Sequence, residues 1–183
     1  NIANTHAEAL KAGGFTAGVV VDVNEEKAKE FAKRHGIEKW GTDPSMLLDD
    51  EIGTVHVCTP PNLHYEMVKM LLEHKKNVLC EKPLCFKDEE AEELAQLARD
   101  SGVVCAINFN VRFHMACQKA HEIVSSDEFG RVNLIHGAYL QEYNAFPAPV
   151  DWRYNEKLAG RMRAVTEIGT HWLDIAQYIF GRK

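Results

Sequence analysis

Over residues 1–110, short β-branched runs alternate with charged segments of helical period, and no other feature constrains the fold as much. Strand candidates are Thr16 to Asp22, Gly53 to Thr59, Asn77 to Cys80 and Val103 to Ile107. Helix candidates are Ile2 to Ala12, Glu25 to His35, Asn62 to His74 and Lys87 to Ser101. A repeat of about thirty residues suits one strand, its crossover helix and the next strand, so the runs join into a parallel sheet. Gly36, Gly102 and the Gly13-Gly14 pair follow three of the helices, where a left-handed residue closes the last turn. In the third helix, Leu63, Met67, Met70 and Leu71 predict the buried stripe, with His64, Lys69, Glu73 and Lys76 mainly outward or at its ends.

After Asn108 the pattern changes. A helix is expected from Met115 to Ser125, a strand from Val132 to Tyr143, an irregular stretch with Pro147 and Pro149, and a last helix around Glu167 to Phe180. Val132, Leu134, His136, Ala138 and Leu140 alternate with Asn133, Ile135, Gly137, Tyr139 and Gln141, as in an antiparallel sheet covered on one face. The expected class is α/β: a Rossmann-type parallel sheet over residues 1–110, then the start of an α+β domain with a mostly antiparallel sheet over residues 111–183. Both ends read as cut. Residue 1 falls directly at a helix start, where such a sheet should open with an apolar strand and a glycine-rich turn, and the second sheet has a single candidate strand.

Composition narrows the partner. Twenty-one basic against 27 acidic side chains give a net charge of −6, with no basic tract to gather the phosphates of a nucleic acid or an anionic membrane. No apolar stretch reaches the roughly 20 residues of a membrane span, and the first residues lack the layout of a signal peptide. The five cysteines form no CxxC pair, and most sit in apolar strand-like runs, as in a reducing compartment. These features point to a small-molecule partner in the cytoplasm, with 45% apolar content sufficient for a core.

Chemistry collects where strands end. In a dinucleotide fold the pyrophosphate lies on the first helix N-terminus, and an acidic residue roughly 20 positions on holds the adenosine ribose hydroxyls. If Ala3 occupies the third glycine or alanine position of that turn, Asp22 follows it by nineteen residues, at the end of Val19-Val20-Val21. A carboxylate there favours NAD over NADP by repelling a 2′-phosphate; the alternative is a strand-ending Asp that caps the next helix. Thr59-Pro60-Pro61-Asn62-Leu63-His64 leaves the next strand extended along the same edge, or is simply a rigid turn with Asn62 as cap. Glu81-Lys82-Pro83-Leu84 then sets an acid and a base at a strand exit, where an ammonium group can stabilise a developing alkoxide. Glu167 and His171 lie four apart, with Asp174 one turn further, so all three share a helix face. A carboxylate beside His171 is expected to raise its basicity and fix its tautomer, suiting it as general base for a polyol hydroxyl. No metal site is read from the sequence.

These motifs, together with Phe109-Asn110-Val111-Arg112-Phe113, Asp151-Trp152-Arg153 and Glu167-Ile168-Gly169-Thr170-His171-Trp172-Leu173-Asp174, resemble in order those of the Gfo/Idh/MocA oxidoreductases over nearly the whole chain. The resemblance implies that Lys82 and His171 flank the substrate carbon, and that Glu167 stands where most relatives carry Asp. It further implies cofactor contacts from Ala3, Asp22, Thr59, Pro60, Asn62, His64, Glu81, Lys82, Asn110, Trp152 and Arg153, and substrate contacts from Arg112 and Asp174. Arg161-Met162-Arg163 departs from a run that is glycine-rich in many members, either meeting an anionic sugar or facing solvent. The function it implies is an NAD-dependent dehydrogenase of a sugar, inositol or related polyol, forming a homo-oligomer when full length. Two alternatives stay open: a relative that uses NAD transiently to cleave a glycosidic bond, and a non-catalytic NAD-sensing regulatory protein.

Overall fold

A computed structural model of the chain describes residues 2–142, 145–147 and 154–181. The chain forms two compact units, one of residues 1–59, 63–80 and 87–106, the other of residues 60–62, 81–86 and 107–183.

In the first unit the order is α1 (Ile2–Ala12), β1 (Val19–Val21), α2 (Glu25–His35), β2 (Lys39–Gly41), β3 (Thr54–Val57), α3 (His64–Glu73), β4 (Asn77–Cys80), α4 (Asp88–Ser101) and β5 (Cys105–Ile107). β1 and β2 pair in parallel, Val19 opposite Lys39 and Val21 opposite Gly41. A second sheet has the order β3-β4-β5, with β3 and β4 parallel and Val57 opposite Cys80. This is the α/β, Rossmann-like architecture expected of the alternation. The sequence reading has no strand at β2: Lys39-Trp40-Gly41 contains no β-branched residue, and its pairing depends on the neighbouring β1.

Local chemistry sets the helix ends. Asn24 caps α2, its side-chain oxygen accepting the Lys27 N–H at 3.0 Å, while Glu25 and Glu26 open the helix and Lys33, Arg34 and His35 close it in the sense the helix dipole favours. Gly36 and Gly102 adopt φ of 70° and 69°, the left-handed turn that a side chain would strain.

The core lies where Ala28 and Ala32 of α2, Val68, Leu71 and Leu72 of α3, Leu94 of α4 and the Val55, Val57, Val78 and Cys80 side chains of β3 and β4 are buried. The α3 stripe differs from the expected one. Two prolines delay the helix through a 3-10 turn, Pro61–Leu63, so α3 starts at His64, and its buried face falls on His64, Val68, Leu71 and Leu72. Leu63 is 40% exposed, and Asn62 makes no cap. His64 tolerates full burial because its Nε2–H donates to the Thr59 carbonyl at 2.9 Å. Lys76, expected outward or at the helix end, is also buried, its ammonium donating to the carbonyls of Asp49 and Ile52 at 2.7 and 2.9 Å. Between α1 and β3, the Nδ1 atoms of His6 and His56 lie 3.0 Å apart, one donating to the other.

The second unit holds a 3-10 turn, Asn110–Phe113, then α5 (Met115–Val124), α6 (Glu156–Ala159), a π turn at Val165–Gly169 and α7 (Thr170–Phe180), with α5 packed on α7. The strand expected from Val132 to Tyr143 is not formed over residues 132–142, and Leu134 and Leu140 are 84% and 89% exposed; Tyr143 lies outside the described residues. A strand exists only through a ladder partner, and among the described residues nothing pairs with this segment. The antiparallel sheet is accordingly not seen among them.

Candidate active site

In the first unit, the end of β1 carries Asp22, whose Oδ1 accepts the Asn24 N–H at 2.8 Å and forms the turn into α2. The helix cap itself is Asn24. Among the described residues no hydrogen bond engages the second carboxylate oxygen of Asp22, which leaves an acceptor for a ribose hydroxyl. At the exit of β3, the Thr59 hydroxyl is buried without a hydrogen-bond partner, an arrangement that a bound polar group relieves. His64 braces this exit from within. Ala3 lies in the first turn of α1. A carboxylate at the end of β1 and an orphaned hydroxyl past the end of β3 fit a dinucleotide along the carboxyl ends of the strands of this unit.

The second unit gathers the groups expected to act on substrate. Lys82 follows β4, and its ammonium donates to the backbone carbonyl of Glu167 at 3.0 Å, with the Glu167 carboxylate 3.9 Å away. Both side chains are largely buried, 15% and 12% exposed. The carbonyl belongs to the π turn that precedes α7. In this turn the Thr170 N–H reaches back to the Val165 carbonyl, and two further carbonyls accept from side chains: Thr166 from the Thr170 hydroxyl at 2.8 Å, and Glu167 from Lys82. Beside Lys82, Glu81 accepts from the Asn108 amide at 2.6 Å, and the peptide joining Lys82 to Pro83 is cis.

His171 sits in the first turn of α7 between two rings. Tyr139 stacks on it with centroids 5.6 Å apart, and Phe109 meets it edge-on at 6.2 Å. Its Nδ1 is buried and has no hydrogen-bond partner among the described residues. The carboxylates expected beside the imidazole meet cations instead. Glu167 engages Lys82, and Asp174 is gripped by Arg112, whose Nε donates to Oδ2 at 3.0 Å while Nη2 donates to Oδ1. The expected direction of the His171 shift is also reversed. Burial, then the Lys82 ammonium, push the imidazole below its ordinary range, and Glu81, Asp174 and Glu167 pull upward without prevailing.

Shared helix face was legible from spacing; which cation would reach each carboxylate was not, because Lys82 and Arg112 come from distant segments. Nothing in the spacing marks Tyr139 as a neighbour of His171, since its alternation suits a strand. Arg112 also lies over the Tyr178 ring at 5.4 Å, and Tyr178 stacks on His121. Of the departing arginines, Arg161 donates to Glu156 at 2.7 Å on the surface, and Arg163 lies 3.5 Å above the Tyr154 ring. Pro60, Asn62 and Asn110 are exposed at turn positions. Trp152 and Arg153 lie outside the described residues. Among the described residues no cluster of His, Cys, Asp or Glu could hold a metal, and no helix is long and apolar enough to cross a membrane.

Family models account for both halves of the chain. Residues 1–109 match the oxidoreductase family with an NAD-binding Rossmann fold, and residues 117–183 match the GFO/IDH/MocA C-terminal domain. The chain belongs to the GFO/IDH/MocA oxidoreductases. Among relatives of this GFO/IDH/MocA protein, levoglucosan dehydrogenase of Pseudarthrobacter phenanthrenivorans is 34% identical over 165 residues, which is 89% of this chain and 42% of the relative. Myo-inositol 2-dehydrogenase of Thermotoga maritima is 28% identical over 184 residues, 100% of this chain and 53% of the relative. A solved structure of levoglucosan dehydrogenase in complex with NADH and levoglucosan superposes with a TM-score of 0.83 at 34% identity, over 90% of this chain and 45% of that one. GenD2 from gentamicin A biosynthesis, in complex with NAD, superposes with a TM-score of 0.82 at 27% identity, over 99% of this chain and 51% of that one. The chain spans about half the length of the curated relatives it matches.

Proposed function

We propose that the whole protein is an NAD-dependent dehydrogenase that oxidises a secondary alcohol of a sugar, inositol or related polyol. NAD, when bound, supplies the hydride acceptor. The observation that carries this reading is that Lys82, an ammonium anchored on the Glu167 carbonyl, and His171, an imidazole whose basicity is depressed by burial and by the Lys82 charge, belong to the same unit. The carbinol hydroxyl gives its proton to neutral His171. Lys82 donates a hydrogen bond to the same oxygen as negative charge grows on it, in a largely buried setting where that interaction is strong. Glu167 holds Lys82 in place through its carbonyl, with its carboxylate nearby. In the first unit, Asp22, Thr59 and the start of α1 bind the adenosine and pyrophosphate of the cofactor.

The substrate class follows the names of the relatives, which act on levoglucosan, inositol and, in Escherichia coli, D-glucosides at 32% identity. The test supplies NAD to the full-length protein with levoglucosan, inositols and glucosides and follows NADH. Lys82→Ala is expected to lower turnover by about 10² to 10⁴ while NAD binding persists. Turnover in Lys82→Ala equal to the parent protein would remove Lys82 from the chemistry.

A further inference from the structure

His171 lacks the usual means of holding a catalytic imidazole. Most such rings are oriented by a hydrogen bond from the second nitrogen to a carboxylate or carbonyl. Here Nδ1 has no hydrogen-bond partner among the described residues, and the carboxylates on either side of His171 on its helix face are taken by Lys82 and Arg112. Among the described residues, it is ring packing from Tyr139 and Phe109 that sets its orientation. Phe109 and Arg112 are three residues apart on one segment, and His171 and Asp174 are three apart on α7. The two contacts, Phe109 with His171 and Arg112 with Asp174, therefore run in register. Asp174 has only 5% of its side chain exposed, and the two-pronged guanidinium contact fixes both distance and angle between the segments. The Tyr178 ring beneath the guanidinium limits its freedom further.

We propose that the Arg112–Asp174 pair is a positioning device that locks the 109–112 segment in register with α7 and so holds the His171 ring against Phe109. Arg112 and Asp174 then touch no substrate, unlike the role their motifs suggest. The catalytic consequence rests on the reading of His171 as general base. The placement of the ring does not, and it can be read without turnover.

The experiment follows the His171 imidazole by NMR in the full-length protein, its signal assigned by loss in His171→Gln, through a pH titration of the parent and of Asp174→Asn. The groups that act on the ring are Lys82, Glu81, Asp174 and Glu167. The substitution separates two outcomes by sign. Removing a negative charge alone lowers the titration midpoint. Releasing the register lets water reach the ring and raises it, because burial is the largest cause of its depression, and an upward shift of about half a pH unit or more is expected. The ring protons should also lose the displacement caused by the Phe109 and Tyr139 ring currents. A midpoint that falls or stays in place overturns the proposal. Should Asp174→Asn not fold, Arg112→Lys decides: charge is unchanged and the two-pronged contact is lost, so a rise supports the proposal and an unmoved midpoint refutes it. If the parent protein turns over no polyol, the dehydrogenase reading fails while the titration still gives its answer.

Discussion

The affinity of His171 for a proton is set mainly by burial, and on the proposed reading of this residue as general base the direction has a consequence for pH dependence. An imidazole held below its ordinary value of about 6.5 is neutral, and competent to accept a proton, throughout the neutral range. The kcat/KM for polyol oxidation should therefore stay level as pH falls to about 6.5 and decline only below it. Glu167→Gln should move that acid limb further down, because the carboxylate pulls the imidazole upward and its loss removes the pull. The Lys82 anchor on the Glu167 carbonyl would survive the change. A pH–rate profile of the two proteins checks both statements, and a limb that moves upward in Glu167→Gln contradicts the assigned field. In the sequence, short motifs name Lys82, Glu167 and His171 as candidates by residue type, and spacing puts the last two on one helix face. Their partners were not legible there. The π turn that offers a carbonyl to Lys82, the Arg112 grip on Asp174 and the Tyr139 ring over His171 depend on where distant segments meet, and periodicity holds no information on that.

At the level of elements, α3 shows how a turn redirects a helix. Apolar spacing alone favours Leu63, Met67, Met70 and Leu71, but the 3-10 turn after the prolines shifts burial to His64, Val68, Leu71 and Leu72. Leu71→Ala should cost about 2–5 kcal/mol, since the side chain is fully buried among β-strand and helix neighbours. Leu63→Ala should change stability by less than about 0.5 kcal/mol. Urea unfolding of the pair distinguishes the observed face from the expected one, and equal losses would restore the expected one. The strands and helices of residues 1–110 were legible because both periods are strong there, whereas β2 and the 132–142 segment were not, because strand character in them depends on a pairing neighbour. The contact of His6 on α1 with His56 on β3 adds a pH dependence. His56 is held below the ordinary value of 6.5, first by burial and then by His6, so the unfolded chain binds the proton more tightly than the folded one. Its contribution is whole above about pH 6.5 and is lost as pH falls through the depressed folded value. Thermal unfolding should show a smaller loss of Tm on acidification in His56→Gln than in the parent protein, and parallel losses would exclude this pair as the source.

For the whole molecule, the proposed reading makes the cofactor choice depend on one carboxylate. Asp22 spends one oxygen on the turn into α2 and keeps the other at the end of β1, beside the position expected for the adenosine ribose. A negative charge there accepts from ribose hydroxyls and repels a 2′-phosphate, and the protein's net charge of −6 does nothing to offset that repulsion. Asp22→Asn isolates the charge, because the amide oxygen still accepts the Asn24 N–H and the turn is retained. The ratio of kcat/KM for NADP to that for NAD should rise roughly tenfold to a hundredfold in the variant, through weaker NAD binding and relief of the phosphate repulsion together. Measuring Kd for both cofactors alongside turnover separates this from a change in chemistry, since the effect belongs to binding. A ratio that does not move would place the 2′ position away from Asp22 and detach NAD preference from this strand end, leaving the roles of Lys82 and His171 as they stand.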